Sequence, residues 1–174
     1  MLNEKLRNLL EEVESNKNRQ ADYIANTNQL QFKTQRSGDD IFSEIIMESN
    51  GGVPTQNFKV NDHCLSQIAE KSKLPVPVVR RFQEQYPEVL DHAVNSIWHK
   101  EPSRRMIRTY DGINHQGNLA RGFVSDKFKT FDNYDLLAAI LPTLSESDLK
   151  LDTMEGSITD KRMHFKLKSN SVIA

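Results

Sequence analysis

The sequence predicts an α+β domain, on three observations. Segments with helical spacing of apolar residues alternate with short segments of period two. Prolines and Asn/Asp clusters punctuate them at intervals suited to caps and turns. The chain of 174 residues, 37% of them hydrophobic, is long enough for one modest core.

Leu2, Leu6, Leu9, Leu10 and Val13 recur at helical spacing and predict a helix over 2–14. Residues 15–29 are polar and read as a linker, so 1–29 is expected to be a helical arm and 30–174 a single α+β domain. Residues 30–34 suit a short strand. Residues 41–47 suit a second, or equally a helix. Asn50-Gly51-Gly52-Val53-Pro54 is a turn signal.

Asn61 or Asp62 can cap a helix carrying Leu65, Ile68 and Ala69, stopped by Pro75 and Pro77. Pro77 suits the first turn of a second helix through Val78, Val79 and Phe82. Pro87 can start a third, with Leu90, Ala93, Val94 and Ile97 as its stripe, closed by Pro102. Residues 104–110 and 119–124 read as paired strands, with Asp111 to Gly117 supplying the turn. Asp132 or Asn133 can cap a helix bearing Leu136, Leu137, Ile140, Leu141 and Leu144, which Pro142 should end or bend. A hairpin of 148–154 and 161–168 is expected around Glu155-Gly156. The final Ser171-Val172-Ile173-Ala174 resembles the start of another strand, so the chain is expected to be truncated at its C-terminus.

The formal net charge of -1 excludes a globally basic protein, but the charges are segregated. Residues 99–129 carry 7 basic side chains against 3 acids, and 130–160 carry one against 7. Residues 161–174 carry 4 and no acid. Two basic blocks could bind a polyanion by displacing counterions, or could pair internally with the acidic block.

The segment 161–168 alternates sharply. As a strand it would put Met163, Phe165 and Leu167 on one face and Arg162, His164, Lys166 and Lys168 on the other. That basic face could follow a phosphate backbone, or pair in part with Asp148 and Asp152 across the hairpin. Segment 104–131 interleaves Arg104, Arg105, Arg108, Arg121, Lys127 and Lys129 with Tyr110, Phe123, Phe128 and Phe131. Single strands bind such mixtures, bases on rings and cations on phosphates. Phe123 and Phe128 are expected to be buried and Tyr110 to be the exposed ring. Arg121 could instead pair with Asp126 or Asp132 and fix the turn there.

The sequence carries no cofactor signature. Cys64 is the single cysteine, which excludes an internal disulfide and any multi-thiolate metal site. His63-Cys64 falls at a helix start, where a thiolate is favoured, yet adjacency does not give a base the geometry to activate it. The five histidines assemble no metal-binding spacing, and Gly112, Gly117 and Gly122 are too widely spaced for a phosphate loop. No nucleophile–base pair points to an enzyme. No run of 18 apolar residues suits a membrane helix, and the N-terminus has no signal-peptide pattern.

Several motifs are similar to those of one family. Asn61-Asp62-His63, Gln67-Ile68-Ala69, Leu74-Pro75-Val76-Pro77, Arg80-Arg81-Phe82, Ala93-Val94-Asn95 and Met106-Ile107-Arg108-Thr109 resemble the phage/plasmid-like protein family catalogued as domain of unknown function 932. The stretch from Ala120 to Asn133 carries most of the resemblance: Arg121-Gly122-Phe123-Val124-Ser125-Asp126-Lys127-Phe128-Lys129 stands where the family shows Arg-Ala-aliphatic-Leu-Ser-Asp-Arg-Tyr-Arg. Gly122 departs from the family's small Ala. The resemblance covers roughly 56–145 and implies a mobile-element protein of a bacterial cytoplasm, usually longer than this chain. The family has no established reaction, so it supplies no catalytic residues.

Two functions follow as expectations. One is nucleic-acid binding with single-strand preference, in recombination, replication or plasmid maintenance, through Arg104, Arg105, Arg108, Tyr110, Arg121, Lys127, Lys129, Arg162, Lys166 and Lys168. The other is a protein-interaction module, a host-defence antagonist or oligomer subunit, docking through Leu6, Leu9 and Leu10.

Overall fold

The computed structural model describes residues 4–48, 55–111, 118–146, 151–158 and 163–169. The architecture is α+β, and the chain divides into two compact units. One unit comprises residues 20–128; the other joins 1–19 to 129–174.

The unit of residues 20–128 is built on a six-stranded mixed sheet. Its strands are β1 (Gln20–Asn26), β2 (Leu30–Ser37), β3 (Asp40–Met47), β4 (Gln56–Val60), β5 (Arg104–Tyr110) and β6 (Asn118–Ser125), in the order β1-β5-β6-β4-β3-β2. All neighbours are antiparallel except β4 and β6. Three helices come between β4 and β5 in the chain: α2 (Asp62–Lys71), α3 (Val76–Gln85) and α4 (Pro87–Lys100).

The expected linker is corrected here: residues 20–26 form edge strand β1, paired along its length with β5. Ala21, Tyr23 and Ala25 alternate with Asp22, Ile24 and Asn26, a period-two pattern too weakly apolar to stand out. Residues 41–47 are strand rather than helix, in a tight hairpin whose Gly38 supplies the left-handed φ of +62°. The turn signal at 50–54 lies outside the described residues. Strand β4 has no counterpart in the sequence reading, and only Phe58 and Val60 of its five residues are buried.

The caps follow expectation. Asn61 accepts the Cys64 N–H at 2.8 Å. Helix α2 ends at Lys71, before the prolines, with the Leu74 N–H returning to the Ala69 carbonyl at 2.9 Å. Pro77 and Pro87 sit in the first turns of α3 and α4. The helices cover one sheet face. There Phe32, Ile45 and Phe58 form a row across β2, β3 and β4, and meet Ile68, Val79, Leu90 and Val94 in one cluster. Trp98, rather than Ile97, completes the buried stripe of α4, stacked on Phe123 at 5.3 Å.

In the other unit, α1 (Glu4–Asn18) and α5 (Asn133–Glu146) accompany a hairpin of β7 (Leu151–Ile158) and β8 (Met163–Ser169). Helix α1 packs on α5 and β7, so it is no detached arm: Val13 is buried, and Lys17 Nζ lies 3.7 Å from the Tyr134 ring centroid. Helix α5 continues past Pro142 to Glu146. The missing proline N–H removes one bond of the ladder without ending it. Glu155-Gly156 is not a turn. Both residues lie inside β7, opposite Lys166 and Phe165, and the strands join between Ile158 and Met163.

Candidate nucleic-acid interface

Alternation fixes what the second sheet face of the 20–128 unit carries. Because Phe32, Ile45 and Phe58 point to the helices, Lys33, Glu44 and Lys59 point away from them. Register then extends one row over all six strands: Lys33, Glu44, Lys59, Leu119, Tyr110 and Gln20. Lys33 and Lys59 are exposed.

Cations sit on rings along this face. Lys59 Nζ lies 4.6 Å from the Phe42 ring centroid. The Arg121 guanidinium lies 4.6 Å from Tyr110, and that of Arg108 lies 5.8 Å from Phe128. A register shift between Arg108 and Thr109 places Arg121 at a β-bulge, which re-aims its side chain. Acids are interspersed. Glu44 accepts from Gln35 Nε2 at 2.6 Å, Asp22 accepts from Arg108 Nε at 3.3 Å, and Asp126 lies 3.9 Å from Arg104 Nε.

The predicted residues therefore sort by environment. Arg104, Lys127 and Lys129 are exposed, and Arg105, Tyr110 and Arg121 are half-buried. Arg108 is corrected: it is buried and ion-paired to Asp22, a tie between β5 and β1 rather than an open contact. Phe123 is buried as expected, whereas Phe128 is 45% and Phe131 66% exposed. These two rings, not Tyr110, are the open aromatics of the segment. Asp126, expected as an Arg121 partner, faces Arg104.

The two basic blocks fall in different units, save that Lys129 begins the second. In β8, Lys166 and His164 are exposed and Met163 is half-buried, as the alternation requires. The register partner of Lys166 is Glu155, and Asp152 lies at the register shift between Leu151 and Thr153, its side chain outside the description. Arg162 lies outside the described residues, as do Asp148 and residues 112–117. Of Lys168 only the pairing to Thr153 is described. Leu10 is half-buried, and the Leu6 and Leu9 side chains lie outside the description.

Lys33, Lys59 and Phe42 were missed because each is isolated in sequence. The polar positions 31, 33 and 35 of β2 were the available signal. Cys64 is fully buried, and desolvation pushes its thiol far above the ordinary range, so it is no nucleophile in the folded state. Among the described residues no group of three or more His, Cys, Asp or Glu could hold a metal ion, and no helix is long and apolar enough to cross a membrane.

Comparisons with protein-family models, with curated proteins and with solved structures found no match to this chain. The phage/plasmid-like resemblance is thus carried by its motif residues alone.

Proposed function

We propose that this protein binds single-stranded nucleic acid on the open face of its six-stranded sheet, in the service of recombination, replication or maintenance of a mobile element. The observation that carries the reading is the row Lys33–Lys59–Tyr110, flanked by Phe42 and Arg121. A sheet covered on one side leaves a broad platform on the other, where bases stack on rings or guanidinium planes while lysines follow phosphates. Exposed Lys127 and Phe128 extend the same chemistry beyond β6.

The test is a fluorescence-anisotropy titration of a short single strand at several salt concentrations. Each phosphate contact contributes a log–log slope of about 0.7. Changing Lys33 and Lys59 together to alanine should weaken binding to every sequence and make the slope shallower by roughly 1 to 1.5. Failure of the parent protein to bind at low salt would end the proposal. If instead the Lys166→Ala, Lys168→Ala double change lowers the slope and the first pair does not, the site belongs to β8.

The alternative, a partner-docking module, draws less from α1 now that Val13 is buried against its own unit. Exposed Tyr86 and Val89 at the α3–α4 junction are its better support.

A further inference from the structure

A cavity of about 310 Å³ opens at the β2 edge of the sheet. Its walls include Asn28, Leu30, Gln31, Glu48, Asn95 and His99. Gln31 belongs to the open face, in register with Ile46 and Asn57, whereas Asn95 and His99 come from α4 on the covered face. The cavity therefore lies at the sheet edge and draws its walls from residues of both faces.

We infer that this cavity holds a single nucleobase of the bound strand, an inference that rests on the single-strand reading above. Its chemistry excludes a phosphate. Among the described residues no lysine or arginine lines it, and Glu48 would repel an anion. It favours a neutral, flat group with amide-like edges. Leu30, 3% exposed, supplies an apolar wall, and the His99 imidazole a planar one. The carboxamides of Asn28 and Gln31 each offer a donor and an acceptor side by side, the complement of a base edge. Asn95 is a fixed wall, because its carboxamide is engaged with the Phe32 backbone. The volume lies at the small end of ligand sites, about 300–1,000 Å³, and suits one nucleoside. The phosphate would lie outside, near Lys33, which stands two residues along β2 from Gln31. That offset is about 6.6–7 Å on the same face.

Two measurements test the inference. The first is an NMR titration with free nucleosides, which carry no phosphate, and with glucose as a comparison. The second is anisotropy with homo-oligonucleotides of each base. At least one nucleoside should shift the backbone amides of residues 28–31, and the oligonucleotides should differ in affinity about fivefold or more. Changing Gln31 and His99 together to alanine should abolish the nucleoside shifts and level the base preference while leaving the salt slope unchanged. Equal affinity for every base without nucleoside shifts would overturn the subsite, as would shifts by glucose alone. If no oligonucleotide binds, the single-strand reading fails, and the nucleoside titration still decides the cavity independently.

Discussion

The side chain of Asn95 acts as a strand partner for Phe32. Its Oδ1 accepts the Phe32 N–H at 2.8 Å, and its Nδ2 donates to the Phe32 carbonyl at 2.8 Å. One turn earlier on α4, Asp91 Oδ2 accepts the Thr34 N–H at 2.9 Å. The outer edge of β2 thus meets helix side chains where another strand would otherwise pair, a common way to keep a sheet edge from recruiting a second chain. Changing Asn95 to alanine removes both bonds and leaves the Phe32 groups without their partner. We expect a loss of about 2 kcal/mol, read from urea denaturation, with self-association at high concentration read by light scattering. A monomer of unchanged stability would show that the edge is protected otherwise.

Asp91 makes this edge sensitive to pH. Burial raises its carboxyl pKa above the ordinary value, and only in part do the Thr34 hydrogen bonds and the Lys33 charge offset this; Glu88 adds to the rise. A folded-state pKa above the unfolded one means that the native state holds the proton more tightly. The resulting stabilisation is fully present below the ordinary carboxyl pKa and is lost as the pH rises through the raised one. Asp91→Asn keeps the acceptor for Thr34 and cannot ionise. Across that window its stability should therefore fall less with rising pH than that of the parent, as compared by denaturation at a series of pH values. Parallel profiles would exclude Asp91 as the titrating group.

The buried thiol offers a direct probe of opening. Cys64 has no exposed surface and sits on α2 beneath the sheet core, with its thiolate disfavoured by desolvation. A thiol reagent should react with native protein orders of magnitude more slowly than with denatured protein. Its rate should rise in step with loss of the Trp98–Phe123 stack, followed by tryptophan fluorescence. Rapid labelling of protein with native fluorescence would reveal local unfolding of α2.

Local signals were legible in the sequence and distant pairings were not. Asn61, Pro77 and Pro87 set helix starts through their own caps and dihedrals, and β5 and β6 showed as a loss of helical spacing on either side of turn-type residues. Strand β1 failed because Ala21 and Ala25 present little apolar area, and β4 because a five-residue strand offers only Phe58 and Val60. Gly156 suggested a turn, but it pairs with Phe165 inside a strand. At the site, charge counts found the arginines of 104–121 without showing that Arg108 turns to Asp22. Lys33 and Lys59 joined Tyr110 only through the parallel pairing of β4 with β6, which nothing in their own sequence neighbourhoods encodes.

Gly122 stands in a motif that resembles the phage/plasmid-like pattern, at the position where that pattern has alanine. It lies in β6 opposite Arg108, and its φ is not in the left-handed region that would demand glycine. A Cβ built there meets Gln67 Oε1 at 3.4 Å, Arg108 Cβ at 3.5 Å and Arg108 Cγ at 3.6 Å. These are ordinary van der Waals contacts, so the methyl fits without displacing its neighbours. Gln67 is the sensitive one, because its Oε1 accepts the Phe123 N–H at 2.8 Å and has little freedom to retreat. With that bond kept, Gly122→Ala restricts the unfolded chain and fills space beside a buried arginine. The expected gain is about 0.4–1 kcal/mol, seen as a higher urea midpoint at unchanged slope. A fall in midpoint would mean that the methyl pushes Gln67 off Phe123, and hydrogen exchange at the Phe123 amide would then quicken as well.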